Sequence, residues 1–342
     1  MNLATAPSKT PSRTGSGGGT FRDRLRAIRA LLMPTTVGRY ARVMAWISVV
    51  AQSGIVTTGG LVRLTGSGLG CPTWPMCTAD SFVPTPEMGI HGIIEWGNRT
   101  LTGVVCIVAL LTFLAVLRTA PSMRLARPAL AVGLLTILQA IVGGLTVLLQ
   151  LHPNAVGVHF LISALIVSIA ALLLVRVYRA EPVPPVRLLP GTRGDRLAFA
   201  IAVATVAMTW VTVYVGSLTT GSGPHAGDAA AERNGLDPQF MQHAHSIPAY
   251  VLLGLAILLV IVTGVRAMPS ARRAAIGFLA LVVLQAVVGI WQSRTGLPIV
   301  LVSVHMTLSM VSIATVTVAL VLVRRTASLR QAEVSDPERV EG

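Results

Sequence analysis

Charge is what this chain has least of: Asp, Glu, Lys and Arg together make up 12% of its 342 residues. So thin a supply excludes an ordinary soluble surface. With 53% hydrophobic residues and a mean hydropathy of +0.72, the composition is that of a polytopic membrane protein. Acids are scarcer still, 13 against 27 Lys and Arg, giving a net charge of +14 and a pI near 11.4. The arginines flank apolar runs instead of lining one soluble face, so the excess reports topology and argues against a nucleic-acid partner. Three cysteines cannot build a disulfide scaffold. The N-terminal region lacks a short apolar core followed by a small-residue cleavage site, so no secretory signal is expected.

What is present is a series of eight apolar runs, near 42–62, 89–117, 128–149, 156–177, 197–219, 240–265, 273–291 and 299–323. Each can cross a hydrocarbon layer of about 30 Å, which takes roughly 20 helical residues. The expected fold is therefore all-α with eight transmembrane helices. The N-terminal arm, the loops near 118–127, 178–196 and 266–273, and the C-terminal tail hold every Lys and Arg except Arg63, Arg99, Arg233 and Arg294. That bias puts both termini in the cytoplasm of a bacterial-type plasma membrane. Residues 1–20, rich in Ser, Thr, Gly and Pro, read as disordered. The following FRDRLRAIRALLMP sets Arg22, Arg26 and Arg29 against Leu25, Ile28 and Leu32, as a helix on the inner membrane surface would.

The chain also repeats itself. LQAIVGGLTVLLQLHPNAVGVHF aligns without a gap on LQAVVGIWQSRTGLPIVLVSVHM, matching Gln139 with Gln285, Gly143 with Gly289 and His159 with His305 at an offset of 146 positions. Four spans on either side of a proline-rich basic connector imply a tandem duplication with both halves in one orientation. The expected arrangement is two four-helix bundles related by a pseudo-twofold axis along the membrane normal. The boundaries are a cytoplasmic arm 1–38, a first half 39–178, a linker 179–196, a second half 197–325 and a tail 326–342.

Intramembrane imidazoles are costly, and they usually bind or transfer something. His91, His159, His243, His245 and His305 all fall near the outer ends of even-numbered spans. Facing helices can hold a flat macrocycle, and neutral imidazole is a good axial ligand for haem iron. Zinc or copper is the rival, but thiolate and carboxylate partners at ligand spacing are missing. Buried structural histidines are the bland alternative, weakened by recurrence at matched depth.

The second span adds HGIIEWGNR, with Glu95 one turn after His91 and Asn98 and Arg99 on the next turn. Glu95 either does chemistry or only pairs with Arg99. The sixth span has no acid at that depth, so the first half is expected to react and the second to hold a cofactor. Cys71 and Cys77 lie in a Gly/Pro-rich outer loop and are expected to form a disulfide on the oxidising side, stapling the loop or acting as a lid or redox element. Cys106 reads as a small core residue, and His152 and His225 as surface loop residues.

The loop TGSGLGCPTWPMC resembles the TGSGLSCPDWPLC signature of the haem A synthase family, membrane enzymes that oxidise a methyl group of haem O to the formyl group of haem A for cytochrome oxidase. The resemblance covers roughly residues 40–325. It implies haem b between His245 and His305, the substrate haem O at His159, and Glu95 as catalytic carboxylate. It also implies a complex with the haem O-producing synthase, and it names no electron donor. Membrane lipid surrounds such a protein. Where the family has a histidine just before Arg99, this chain has Asn98. Either one imidazole serves the substrate haem, or His91 supplies a second. His243 and His245 stand roughly 200° apart on a helix, so one can face a haem. His245 is preferred because it lies close to the repeat offset from Asn98, with His243 as the alternate. A di-haem b electron carrier between quinol and a partner is the main alternative, and it would need paired histidines in both halves. A transporter with parallel repeats would need broken helices at the midplane, which the spans lack.

Overall fold

The computed structural model describes residues 21–119, 122–179 and 192–335. Among them the chain forms nine α-helices, one three-residue 3-10 turn and no strand. A short amphipathic helix, α1 (Phe21–Leu32), buries none of its residues. It is followed by α2 (Arg39–Leu64), α3 (Gly89–Leu117), α4 (Ser122–Leu148), α5 (Pro153–Tyr178), α6 (Arg193–Ser222), α7 (Pro238–Val265), α8 (Pro269–Arg294) and α9 (Ile299–Ser335). These last eight are long and apolar enough to span a bilayer, and all eight expected runs fall on them. Helices are the natural outcome, because hydrocarbon offers no partner to a backbone N–H or C=O that is left unpaired. The readings for residues 1–20, for most of the connector and for the end of the tail lie outside the described residues.

Helices α2, α3, α4 and α5 touch in a closed ring, and α6, α7, α8 and α9 repeat the same pattern. The halves meet through α2 and α5 against α9, and α5 against α6. At the arginine-rich end each ring is packed solid with small residues. In the first ring these include Ala41, Ala45, Ala109, Ala129 and Ala170, and in the second Ala198, Ala202, Ala271, Ala275 and Ala319. Alanines let helix backbones approach closely where hydrophobicity gives no preference over lipid. Here Asp195, 1% exposed, accepts from Arg266 at 3.2 Å and Arg330 at 3.3 Å, tying α6, α7 and α9 together.

The opposite end is looser and holds the histidines. The repeat reaches the backbone here. Gln150 and Leu151 turn from α4 to α5 with φ of 50° and 59°, and Gly296 and Leu297 turn from α8 to α9 with 79° and 59°. Leu151 N–H closes on Thr146 O at 2.8 Å and Leu297 N–H on Gln292 O at 2.9 Å, at the offset that relates the two histidines. Each turn delivers its histidine two turns into the next helix.

Between the halves, Arg63 at the end of α2 donates to the carbonyls of His225 (2.7 Å) and Thr220 (3.1 Å), and Gly68 N–H to Gly227 O (2.8 Å). His225 is half-buried and its Nε2 lies 2.9 Å from Leu297 O, so it is a strut between loops and not the surface residue its sequence context suggests. His152 is exposed, as expected. Cys106 carries a free thiol and is only half-buried on α3.

Candidate functional site

Three histidine rings stand on glycines of the preceding helix. A Cβ on Gly143 of α4 would lie 3.1 Å from His159 Cε1, one on Gly216 of α6 2.9 Å from His245 Cε1, and one on Gly289 of α8 3.4 Å from His305 Cε1. The missing side chain makes room for an imidazole between closely packed helices. In each of the three rings Nδ1 is buried without a hydrogen-bond partner. A buried polar atom left unpaired in an apolar bundle costs free energy unless a ligand or water pairs with that atom.

His245 and His305 come together, with ring centroids 6.3 Å apart and planes crossed at 80°. A metal–imidazole bond is about 2.0 Å and the ring adds about 1 Å to its centroid, so two imidazoles on opposite sides of one metal stand about 6 Å apart. The spacing is therefore one at which His245 and His305 would hold a single iron between them. Among the described residues no group of three or more His, Cys, Asp or Glu could hold a metal ion, which is the donor set a zinc or copper cluster would need. His243 is exposed, its Nδ1 2.8 Å from Gln239 O, and does not join the pair.

In the first half, His159 has no second histidine beside it. The fourth glycine floor, Gly59 of α2, carries Asn98, whose Nδ2 would be 3.9 Å from a Cβ there. Asn98 Oδ1 accepts from Thr58 Oγ1 at 2.8 Å. His91 is exposed, its Nδ1 2.9 Å from Ser67 Oγ, and it lines a surface cavity of about 570 Å³ with Met88 and Asp228. Gln139 Nε2 donates to the carbonyl of His159 and to Ser163 Oγ, fixing the backbone that carries the ring. Gln139 and its repeat partner Gln285 each stand one turn before a ring's glycine, a recurrence in the sequence that signals a role without naming it.

Glu95 is 5% exposed and both of its oxygens are engaged. Oε2 accepts from Cys71 N–H at 2.7 Å, and Oε1 accepts from Nε (3.1 Å) and Nη2 of Arg99. Arg99 also donates to the carbonyls of Cys71 (2.8 Å), Thr73 (2.8 Å) and Met76 (3.2 Å). Cys71 and Cys77 are joined in a disulfide. The carboxylate, the guanidinium and the loop thus form one unit over the start of α3. Trp74 from the same loop lies against Gly144, next to the glycine that seats His159. This contact was not foreseen, because nothing in the sequence links the two.

A helical, multi-pass membrane protein with paired buried imidazoles and a disulfide-closed loop defines the class. More specifically, the chain belongs to the cytochrome oxidase assembly protein family COX15-CtaA, whose profile matches residues 42–318. It is 31% identical over 179 residues to a protein named heme A synthase from Bacillus pumilus, covering 52% of this chain and 57% of the relative. Proteins of the same name are 28% identical over 137 residues in Bacillus licheniformis (40% and 44% covered) and 26% over 182 in Listeria welshimeri (53% and 58%). The chain spans about half the length of these curated relatives.

Proposed function

We propose that this protein oxidises a methyl group of haem O to the formyl group of haem A for cytochrome oxidase assembly, with haem b as an internal electron relay. The observation that carries the reading is the crossed His245–His305 pair, 6.3 Å between centroids, in a member of a cytochrome oxidase assembly family with relatives named heme A synthase. An iron closed by two imidazoles passes electrons but does not itself take up oxygen. His245 and His305 would hold it, with Gly216 and Gly289 giving their rings room.

In the first half, residues 39–178, His159 would hold the substrate's iron from one side. Asn98 offers an amide where its counterpart His245 offers an imidazole, which leaves the other side open. Glu95 is the proposed reaction carboxylate. Its bonds to Cys71 and Arg99 keep the loop over α3. The second half, residues 197–325, would be the relay. Both termini are assigned to the cytoplasm and the disulfide loop to the oxidising side, on the arginine bias. Reporter fusions at either end read this directly. A contact with the haem O-producing enzyme is a natural consequence, because so apolar a substrate passes poorly through water.

The test is expression in a host that makes haem O but no haem A, followed by extraction of haem. Haem A or its hydroxylated precursor is expected. Unchanged haem O with a reduced b-type spectrum would make the protein an electron carrier instead. In the same assay Glu95→Ala should convert haem O at least about a hundredfold more slowly, the range for a lost proton-transfer group. Parental turnover in that variant would remove Glu95 from the chemistry.

A further inference from the structure

At the arginine-rich end, α7 stops at Val265, Ala267 turns through a φ of 47°, and Pro269 opens α8. Beside this turn lies a cavity of about 520 Å³, lined by Thr263, Gly264, Met268, Ile276 and two exposed arginines, Arg272 and Arg273. Arg272 lies against Gly264, where a Cβ would come within 3.2 Å of its Nε. Neither guanidinium has a hydrogen-bond or ion-pair partner among the described residues. The nearby acid, Asp195, is already shared by Arg266 and Arg330.

Two uncompensated cations beside an apolar recess, at the boundary of a spanning helix pair, call for an anion that carries its own apolar tail. We propose that this recess binds an anionic phospholipid, its phosphate held by Arg272 and Arg273 and its acyl chain running along exposed Ile276 and Val265. Guanidinium forks match phosphate oxygens in geometry, and the free N–H groups in the first turn of α8 add partial positive charge. Basic pockets between spanning helices at an anionic leaflet recognise lipid headgroups in this way. Free phosphate would satisfy the arginines but leave the apolar wall wet, so the lipid is the better occupant. The inference is independent of the activity proposed above.

The full-length protein in detergent, titrated with phosphatidylglycerol or phosphatidylcholine of the same chains and read by native mass spectrometry, tests it. Phosphatidylglycerol should be retained by roughly tenfold over phosphatidylcholine. Replacing both arginines, R272Q with R273Q, should erase the preference and leave the histidine sites intact. A photoactivatable phosphatidylglycerol should label residues 263–276 of the unaltered chain. Equal retention of the two lipids, labelling confined to other segments, or displacement by millimolar inorganic phosphate would each overturn the assignment.

Discussion

At the scale of single residues, the glycine floors are the most consequential detail, because each sets the depth of an imidazole. Gly216→Val would drive a methyl-bearing carbon into His245, whose Cε1 already lies 2.9 Å from an added Cβ. The expected result is loss of the low-spin, bis-imidazole signal and of most of the Soret absorbance in the purified protein. Gly254→Val on α7, where a Cβ meets nothing within 4 Å, should leave both unchanged. Arg99 is the other such residue. Arg99→Leu strands a buried carboxylate and three loop carbonyls, and breaking a buried pair this way costs about 3–5 kcal/mol. A matching drop in denaturant midpoint in detergent is expected, whatever the variant does to turnover.

At the scale of elements, the loop before α3 is held by its disulfide, by Arg99 and by Trp74 on α4. Opening the disulfide with Cys77→Ser should speed amide hydrogen exchange through residues 65–85 and the first turns of α3, and leave α7 and α8 unaffected. Uniform protection after that change would mean the loop stands without its cystine. The eight spanning helices were legible because a run of apolar residues in this composition has few other fates. The repeat in α4–α5 and α8–α9 was legible for a related reason: residues that shape a turn and seat a ring tolerate little drift in spacing. Contacts across the bundle, such as Trp74 with Gly144 or Arg63 with the carbonyls of His225 and Thr220, were invisible, since nothing local in the chain encodes which distant backbone an arginine will find. Glu95 was legible as an unusual acid paired with Arg99. That its other oxygen would take the Cys71 amide was not.

At the scale of the whole molecule, two helix rings are joined by α9 with α2 and α5, by α5 with α6, and by the Arg63 bridge. A protease site inserted at residue 185 should therefore allow the connector to be cut while the halves continue to co-purify. Adding Arg63→Leu should lower the fraction that stays together, measured by size-exclusion of the cut protein. The proposed choice of His245 over His243 rests on the same large-scale view. Only His245 faces across its ring toward α9, while His243 points outward, a difference of helical phase that two-residue spacing alone leaves open.

One detail of the first ring bears on how the two rings differ. A Cβ on Gly59 would stand 3.9 Å from Asn98 Nδ2, ordinary contact, where one on Gly216 would press to 2.9 Å of His245 Cε1, so the site above Gly59 has room to spare. Asn98→His, freed from Thr58, should therefore seat an imidazole over Gly59 and add a second low-spin iron signal to the purified protein. What would still set the rings apart is Glu95, for which the sixth span has no acid at the same depth.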